Sequence, residues 1–586
     1  MLALALAALV AAAPTAAPPS FHLRAGDRVV FYGDSITDQR LYTSFVETFV
    51  LTRFPHLDVR FVHSGWGGDR VTGGQGGRVD VRLQRDVIAH RPTVVTVMLG
   101  MNDGRYRPFE QPIYDRFVDG YDRLVSTLRA ELPQARLTVI QPSPYDDVTR
   151  PPFEGGSYNQ VLLRFGAFIK KVAEREHLTL ADFNGDLVSV LQKVNTADPK
   201  VALKVIPDRV HPGEAGHLVM TQSLLKAWGA PALVTSVEME GARGNLVAAT
   251  NTQVTDISRV EGTLRWSQLD RALPMPIDLA DPVIQMTAAA SGFVAHLDQQ
   301  PLKVSGLGTG FYALRIDDQQ VGVFRGIDLA KGINLAVLPT PMLRQASDVH
   351  DLTLKHNDLH FTRWRLVQTR LEKDNAAQTG GALDALDRLE QEIIERQHVT
   401  ARPRPRRYEL APVTAVAANV PVGFTPVFGT GELKQVLLDG YRRKNLEVYL
   451  ELDGDAETTA TLVLRMTDRW RGYRVSLDGR EGGSFGRIDP PGGAAKTVKA
   501  AANPYTWPEH WKKGDWNAVR VRMTGDKPKV TIWLNGFKVV EWTDNAGPPP
   551  EDDNDGWGLA AIELPSDRTP RFRNVSLRQL PHTGDE

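Results

Sequence analysis

The sequence predicts a multidomain chain: a three-layer α/β (flavodoxin-like) domain, a small β-sandwich, a helical hairpin and a C-terminal all-β jelly roll. Three observations carry this. Over residues 20–232 apolar runs of strand length alternate with amphipathic helices, a pattern of βαβ units and hence of a parallel sheet covered on both faces. Residues 340–400 carry only helical spacing. From Tyr408 to Leu580 short strands follow one another without helices, as in a sandwich or jelly roll. The 586 residues suit this count, at about 150 residues per domain.

The chain opens with an apolar run, Met1 to Ala13, followed by small residues and the prolines Pro14 to Pro19. This reads as a signal peptide over residues 1–19, so a secreted or periplasmic protein is expected. The run is too short to span a membrane, and no basic residue precedes it. The net charge of −1 gives no global field for nucleic acid or an anionic membrane surface. Absence of cysteine excludes thiol catalysis, disulfides and thiolate metal sites. No metal and no cofactor is expected.

In the first domain the candidate strands are Val29–Tyr32, Asp58–Val62, Thr93–Leu99, Leu137–Gln141 and Leu178–Asp182. Leu41–Phe54, Tyr114–Leu132 and Tyr158–Arg175 read as helices between them. The chemistry-bearing residues sit at the strand ends. Gly33-Asp34-Ser35 follows the first strand, Ser64-Gly-Trp-Gly-Gly-Asp-Arg70 the second and Gly100-Met-Asn-Asp103 the third. Asp208-Arg-Val-His211-Pro212 comes well after the fifth. Ligands of open α/β sheets bind at that edge. A serine becomes nucleophilic when a histidine takes its proton, and a carboxylate holds the histidine in the required tautomer. The Asp208-x-x-His211 spacing lets both side chains come from one short turn. The backbone amides of Ser35 and Gly68 and the side-chain amide of Asn102 are placed by topology to hold an oxyanion.

The blocks, in this order and on these elements, resemble the SGNH (GDSL-type) hydrolase family over roughly residues 25–230. The resemblance implies a three-layer α/β/α fold without a deep lid, and ester hydrolysis through an acyl-serine. It puts the family's Ser, Gly, Asn and His on Ser35, Gly68, Asn102 and His211, with Asp208 as the triad acid. One departure is visible: His63 stands where the second block often opens with asparagine. Arg70, Arg105, Tyr106 and Tyr145 lie beside the blocks as candidates to bind substrate, or as solvated loop residues.

Residues 233–339 read as a small β domain with runs at Phe293–Leu297, Leu302–Val304, Gly310–Ile316 and Gln320–Phe324. The last two form a hairpin turning at Asp317-Asp318. His296 and Asp298 have no partner pattern, so a structural role is expected. Residues 340–400 read as helices over Met342–Leu371 and Gly381–Val399, broken between Asn375 and Gly381. They form a hairpin that packs on the first domain or bridges to the last. Trp364, with its flanking arginines, reads as an interface aromatic. Residues 401–407, basic and proline-rich, read as a linker.

Residues 408–580 read as the jelly roll, with a tail over 581–586. Asn535-Gly536 is a strong hairpin signal. Trp470, Trp507, Trp511, Trp516, Trp533, Trp542 and Trp557 all fall here. Aromatic rings stack on sugar faces, so Trp507 and Trp511 are candidate ligand contacts while Trp533 is expected in the core. Glu551 to Gly556 has the composition of a calcium loop but lacks EF-hand spacing, and reads as a solvated turn. Gly514-Asp-Trp-Asn-Ala-Val-Arg520, Ile532-Trp-Leu-Asn-Gly536, Gly558-Leu-Ala-Ala-Ile562 and Phe572-Arg-Asn574 are similar to the 3-keto-disaccharide hydrolase domain family. That resemblance implies a concanavalin-like jelly roll and an association with sugars, and no site residues.

The expected function is a secreted esterase that removes ester groups, acetyl foremost, from a polysaccharide, with a sugar-binding C-terminal domain. The partner is then a carbohydrate ester, with no nucleic acid and no membrane span. Two alternatives stand beside it: a C-terminal domain that itself cleaves 3-keto-glycosides, and a cell-surface carbohydrate-binding protein with a vestigial triad.

Overall fold

The computed structural model describes residues 21–279, 281–371, 376–412, 425–426, 435–437, 444–453, 460–466, 471–479, 483–491, 507–545, 558–563 and 572–580. The opening run, Trp470, Trp557 and Glu551–Gly556 lie outside them. No helix among the described residues is long and apolar enough to cross a membrane.

The N-terminal domain is built on β1 (Arg28–Gly33), β2 (Arg60–Gly65), β3 (Val94–Met98), β4 (Arg136–Gln141) and β5 (Thr179–Asp182). All pair in parallel, in the order β2-β1-β3-β4-β5. Strands buried on both faces need continuous apolar runs, and Val29–Tyr32 and Val94–Met98 supply them, each residue at most 1% exposed. Gly33 pairs with both Gly65 and Met98, so β1, β2 and β3 end flush. The order reverses between β1 and β3, and this switch point is where ligands of doubly wound sheets bind.

The middle domain packs two sheets around Val237, Met239, Trp266, Leu302, Val304, Leu314, Tyr408 and Leu410. Its hairpin turns at Asp317 and Asp318, with φ of 49° and 65° as a two-residue type I′ turn requires. Two expectations fail here. Phe293–Leu297 is a helix, not a strand, and follows the helix Pro282–Ser291 across the αL residue Gly292. Phe293 and Leu297 are buried in the first domain's core, a burial that a short apolar run satisfies in either conformation. Residues 401–407 do not form a free linker, and the last domain does not begin at Tyr408. Arg406–Pro412 is the central strand of the middle domain's larger sheet, between Thr263–Asp270 and Phe311–Ile316. Tyr408 stacks on Trp266 at 4.9 Å, which draws the strand there. Asp298 bonds Arg53 at 3.3 Å and His296 bonds Gln222 at 3.1 Å, both structural contacts with the first domain.

The helical hairpin, Pro341–Phe361 and Ala376–Ala401, packs on the first domain, against the helix Leu41–Arg53 and β2. Its second helix begins at Ala376, so Gly380 and Gly381 are helical and do not form the break. The first helix continues as π-helical turns over Thr362–Gln368.

The C-terminal domain packs a six-stranded on a five-stranded antiparallel sheet. Asn535 and Gly536 turn its hairpin with φ of 50° and 91°. Trp507 is core, 8% exposed, and Trp511 packs edge-on to it at 6.1 Å, so Trp507 is no open sugar platform. Trp533 is not core: Val530, Ile532 and Leu534 take the inward face, and Trp533 lies outward under the Arg520 guanidinium at 4.1 Å. Strand alternation decides this, because only every second residue can face the core.

Candidate active site

Ser35 opens a short helix directly after β1. Asp34 caps that helix by accepting the Ile36 N–H at 3.1 Å. Burial pushes the Asp34 carboxyl up to about 8, against the pull of that N–H. The turn is tight enough to require glycine beside it: a Cβ on Gly65 would sit 2.2 Å from the Asp38 nitrogen.

His211 reaches Ser35 from the opposite end of the domain sequence. Its Nε2 lies 2.9 Å from Ser35 Oγ and its Nδ1 lies 2.7 Å from Asp208 Oδ2. Asp208 Oδ1 also accepts the His211 N–H at 2.7 Å and the Val210 N–H at 3.0 Å. Burial alone would raise Asp208, but these N–H donors and the imidazole hold its carboxyl below the ordinary range. The turn closes because Arg209 adopts φ 74°, where its guanidinium lies 4.7 Å over the Tyr145 ring.

Ser35, Gly68 and Asn102, the three candidate oxyanion donors, follow the neighbouring strands β1, β2 and β3. Gly68, after β2, has φ 76°, and neither its N–H nor that of Ser35 bonds a carbonyl among the described residues. Asn102, after β3, donates one N–H to the Asp69 carbonyl at 3.1 Å and keeps a second. Tyr106 donates to Asn102 Oδ1 at 2.9 Å and so, with the Asp69 carbonyl, fixes the orientation of the amide. Burial pushes the Tyr106 phenol up to about 12, keeping it a donor. Arg70 donates to the Asn102 carbonyl at 3.2 Å. Arg70 and Arg105 are exposed, whereas Tyr145, 5% exposed, packs against Tyr106, Phe153 and Tyr158 beneath the Arg209 guanidinium.

The loop between β2 and Gly68 is held by residues that sequence reasoning missed. Arg82, fully buried, bonds Asp69 at 2.8 Å, the Ser64 carbonyl at 2.9 Å, and Asp86. Arg365 and Trp364 of the hairpin reach the same loop. His63, the departure from the family pattern, lies inside β2 and bonds Glu47 at 2.8 Å. Glu47 in turn accepts from His356 at 2.9 Å and Gln397 at 2.8 Å, both on the hairpin. The substitution therefore serves an interdomain contact instead of the turn.

Residues 31–219 match the GDSL-like Lipase/Acylhydrolase family. The chain carries a GDSL-like acylhydrolase domain. It is an ester-bond hydrolase. Residues 437–578 match the 3-keto-alpha-glucoside-1,2-lyase-like domain. An acetylxylan esterase of Geobacillus stearothermophilus is 25% identical over 225 residues, 35% of this chain and 94% of that protein. The structure of a gut microbial diltiazem-metabolizing enzyme is similar with a TM-score of 0.59 and 26% identity. It covers 67% of this chain and 98% of its own, a share that extends beyond the acylhydrolase domain.

Proposed function

We propose that this protein is an exported serine esterase that removes acyl groups, acetyl foremost, from a carbohydrate. One observation carries the reading: His211 Nε2 lies 2.9 Å from Ser35 Oγ while its Nδ1 is held by Asp208. His211 takes the Ser35 proton as Oγ attacks the ester carbonyl, and returns it to the departing sugar hydroxyl. Water, activated by the same imidazole, then releases the acid from the acyl-serine. The Ser35 and Gly68 N–H groups and the Asn102 amide receive the oxyanion in both steps. Arg70, Arg105 and Tyr106 rim the site and contact the leaving sugar.

The acetylxylan esterase relative and the sugar-associated C-terminal domain support a carbohydrate ester as substrate. The C-terminal domain keeps the enzyme on its polymer and raises its local concentration. Acetate release from acetylated polysaccharides, xylan first, tests this, with diltiazem added to the panel because a similar enzyme metabolises it. Release that is lost in Ser35→Ala is expected; release that survives it contradicts the mechanism.

The C-terminal family match favours a second reading, in which that domain cleaves 3-keto-glycosides. The full-length Ser35→Ala protein tests it. Sugar release from a 3-keto-glycoside by this variant supports the second reading, and none leaves the domain a binding module.

A further inference from the structure

The oxyanion loop contains two consecutive glycines, Gly67 and Gly68. Without a Cβ neither restricts its own backbone, so the direction of the Gly68 N–H must be fixed by contacts from outside the loop. Those contacts concentrate on the residues either side. Gly67 donates to Asp38 at 3.1 Å, and Asp69 is held by Arg82. Trp66, which precedes the glycines, is gripped by its ring.

The far side of that grip comes from another domain. The Arg365 guanidinium lies 3.3 Å over the Trp66 ring centroid, and its Nη1 and Nη2 reach the Gly65 carbonyl and Asp38 Oδ2, each at 3.4 Å. Asp38 is the same carboxylate that receives the Gly67 N–H. Trp364 meets the Trp66 ring edge-on at 5.5 Å and donates its indole N–H to Asp86 at 2.7 Å. Asp86 is in turn the partner of Arg82. Trp364 is 2% exposed, so this contact excludes water. Both residues lie in the π-helical turns Thr362–Gln368, where the widened helix lets adjacent side chains face one loop.

We propose that Arg365 and Trp364 of the helical hairpin are positioning residues for the esterase, holding Gly65–Asp69 so that the Gly68 N–H points at the oxyanion. The proposal rests on the acyl-serine reading of the site. It makes the acylhydrolase domain catalytically dependent on a segment well outside the family match at residues 31–219.

The test compares Arg365→Ala, Arg365→Lys and Trp364→Phe in the full chain on a small aryl acetate, beside the affinity of a boronic acid. The boronate adduct of Ser35 places an oxygen where the oxyanion forms. For Arg365→Ala we expect kcat to fall about 10- to 100-fold, below the ~10²–10³ of deleting an oxyanion donor outright. KM should stay within about twofold, and boronate affinity should fall with kcat, because the loss is confined to the tetrahedral state. Arg365→Lys, which keeps a cation beside Asp38 but not a flat ring contact, should recover part of the loss. A merely structural role would lower melting temperature without this split between kcat and KM. If Arg365→Ala does not fold, Arg365→Lys and Trp364→Phe carry the test by the same ratio. Folded variants with kcat and boronate affinity within twofold of the parent overturn the proposal. Turnover surviving in Ser35→Ala would instead overturn the underlying reading of the site, whatever the hairpin variants do.

Discussion

Glu47→Gln should loosen the helical hairpin from the first domain. Glu47 is 1% exposed and accepts from His63, His356 and Gln397 at 2.8, 2.9 and 2.8 Å. Burial opposes a charge on His356, but the Glu47 and Glu390 carboxylates on either side outweigh it and hold it protonated well above the ordinary histidine value. The same contacts outweigh burial at Glu47 and hold it ionised below its ordinary value. Glutamine keeps the shape and leaves His356 charged with one carboxylate. Removing one partner of a buried pair costs about 3–5 kcal/mol. At about 2–4 °C per kcal/mol for a domain of this size, the melting temperature should fall by about 6–20 °C. The histidine contribution, from a raised folded value, is fully present below 6.5 and is lost as pH rises through that raised value. The Glu47 contribution, from a lowered folded value, is present above 4.5 and lost as pH falls through it. The parent's melting temperature should therefore fall on the alkaline side, and the variant's should fall less. Thermal unfolding followed by hydrogen exchange in Pro341–Phe361 measures both. A melting temperature within 1 °C of the parent, with unchanged exchange in that helix, would refute the reasoning.

Other expectations follow from the same contacts. Asp208→Asn should cut kcat by about 10²–10⁴, with the lower end favoured because the Asp208 side chain is 56% exposed and water partly replaces it; steady-state kinetics on an aryl acetate reads this. Tyr106→Phe frees the Asn102 amide to turn and should cost about 2- to 12-fold in kcat, the equivalent of one neutral hydrogen bond at about 0.5–1.5 kcal/mol. Gly65→Ala drives a Cβ into the Asp38 nitrogen, so melting temperature and kcat should fall together, with about 1–3 kcal/mol lost to overpacking.

What the sequence made legible was local. The continuous apolar runs at Val29–Tyr32 and Val94–Met98 gave away two-sided burial, and the residues just past them had to lie at one edge of the sheet. That puts Ser35 and Asn102 at the sheet edge without knowing the packing, while the roles of Gly68 and His211 came from the resemblance of their blocks to the SGNH (GDSL-type) family. Contacts between distant segments were hidden. Arg82 and Asp86 have the spacing of a solvated helix pair, yet both are buried because Trp364, far along the chain, covers them. Tyr408 looked like the start of a new domain because its partner Trp266 lies far back in the sequence. Phe293–Leu297 failed for a different reason, since five residues, four of them apolar, fit a strand or a helix equally and only packing chooses.

The most direct test of the central claim is the mass of the protein acid-quenched during turnover of an acetate ester, intact and after peptic digestion. A single acetyl group is predicted on the peptide that contains Ser35, absent from Ser35→Ala, which should also be inactive. Undiminished turnover in Ser35→Ala, with no adduct on the parent, would contradict an acyl-serine mechanism.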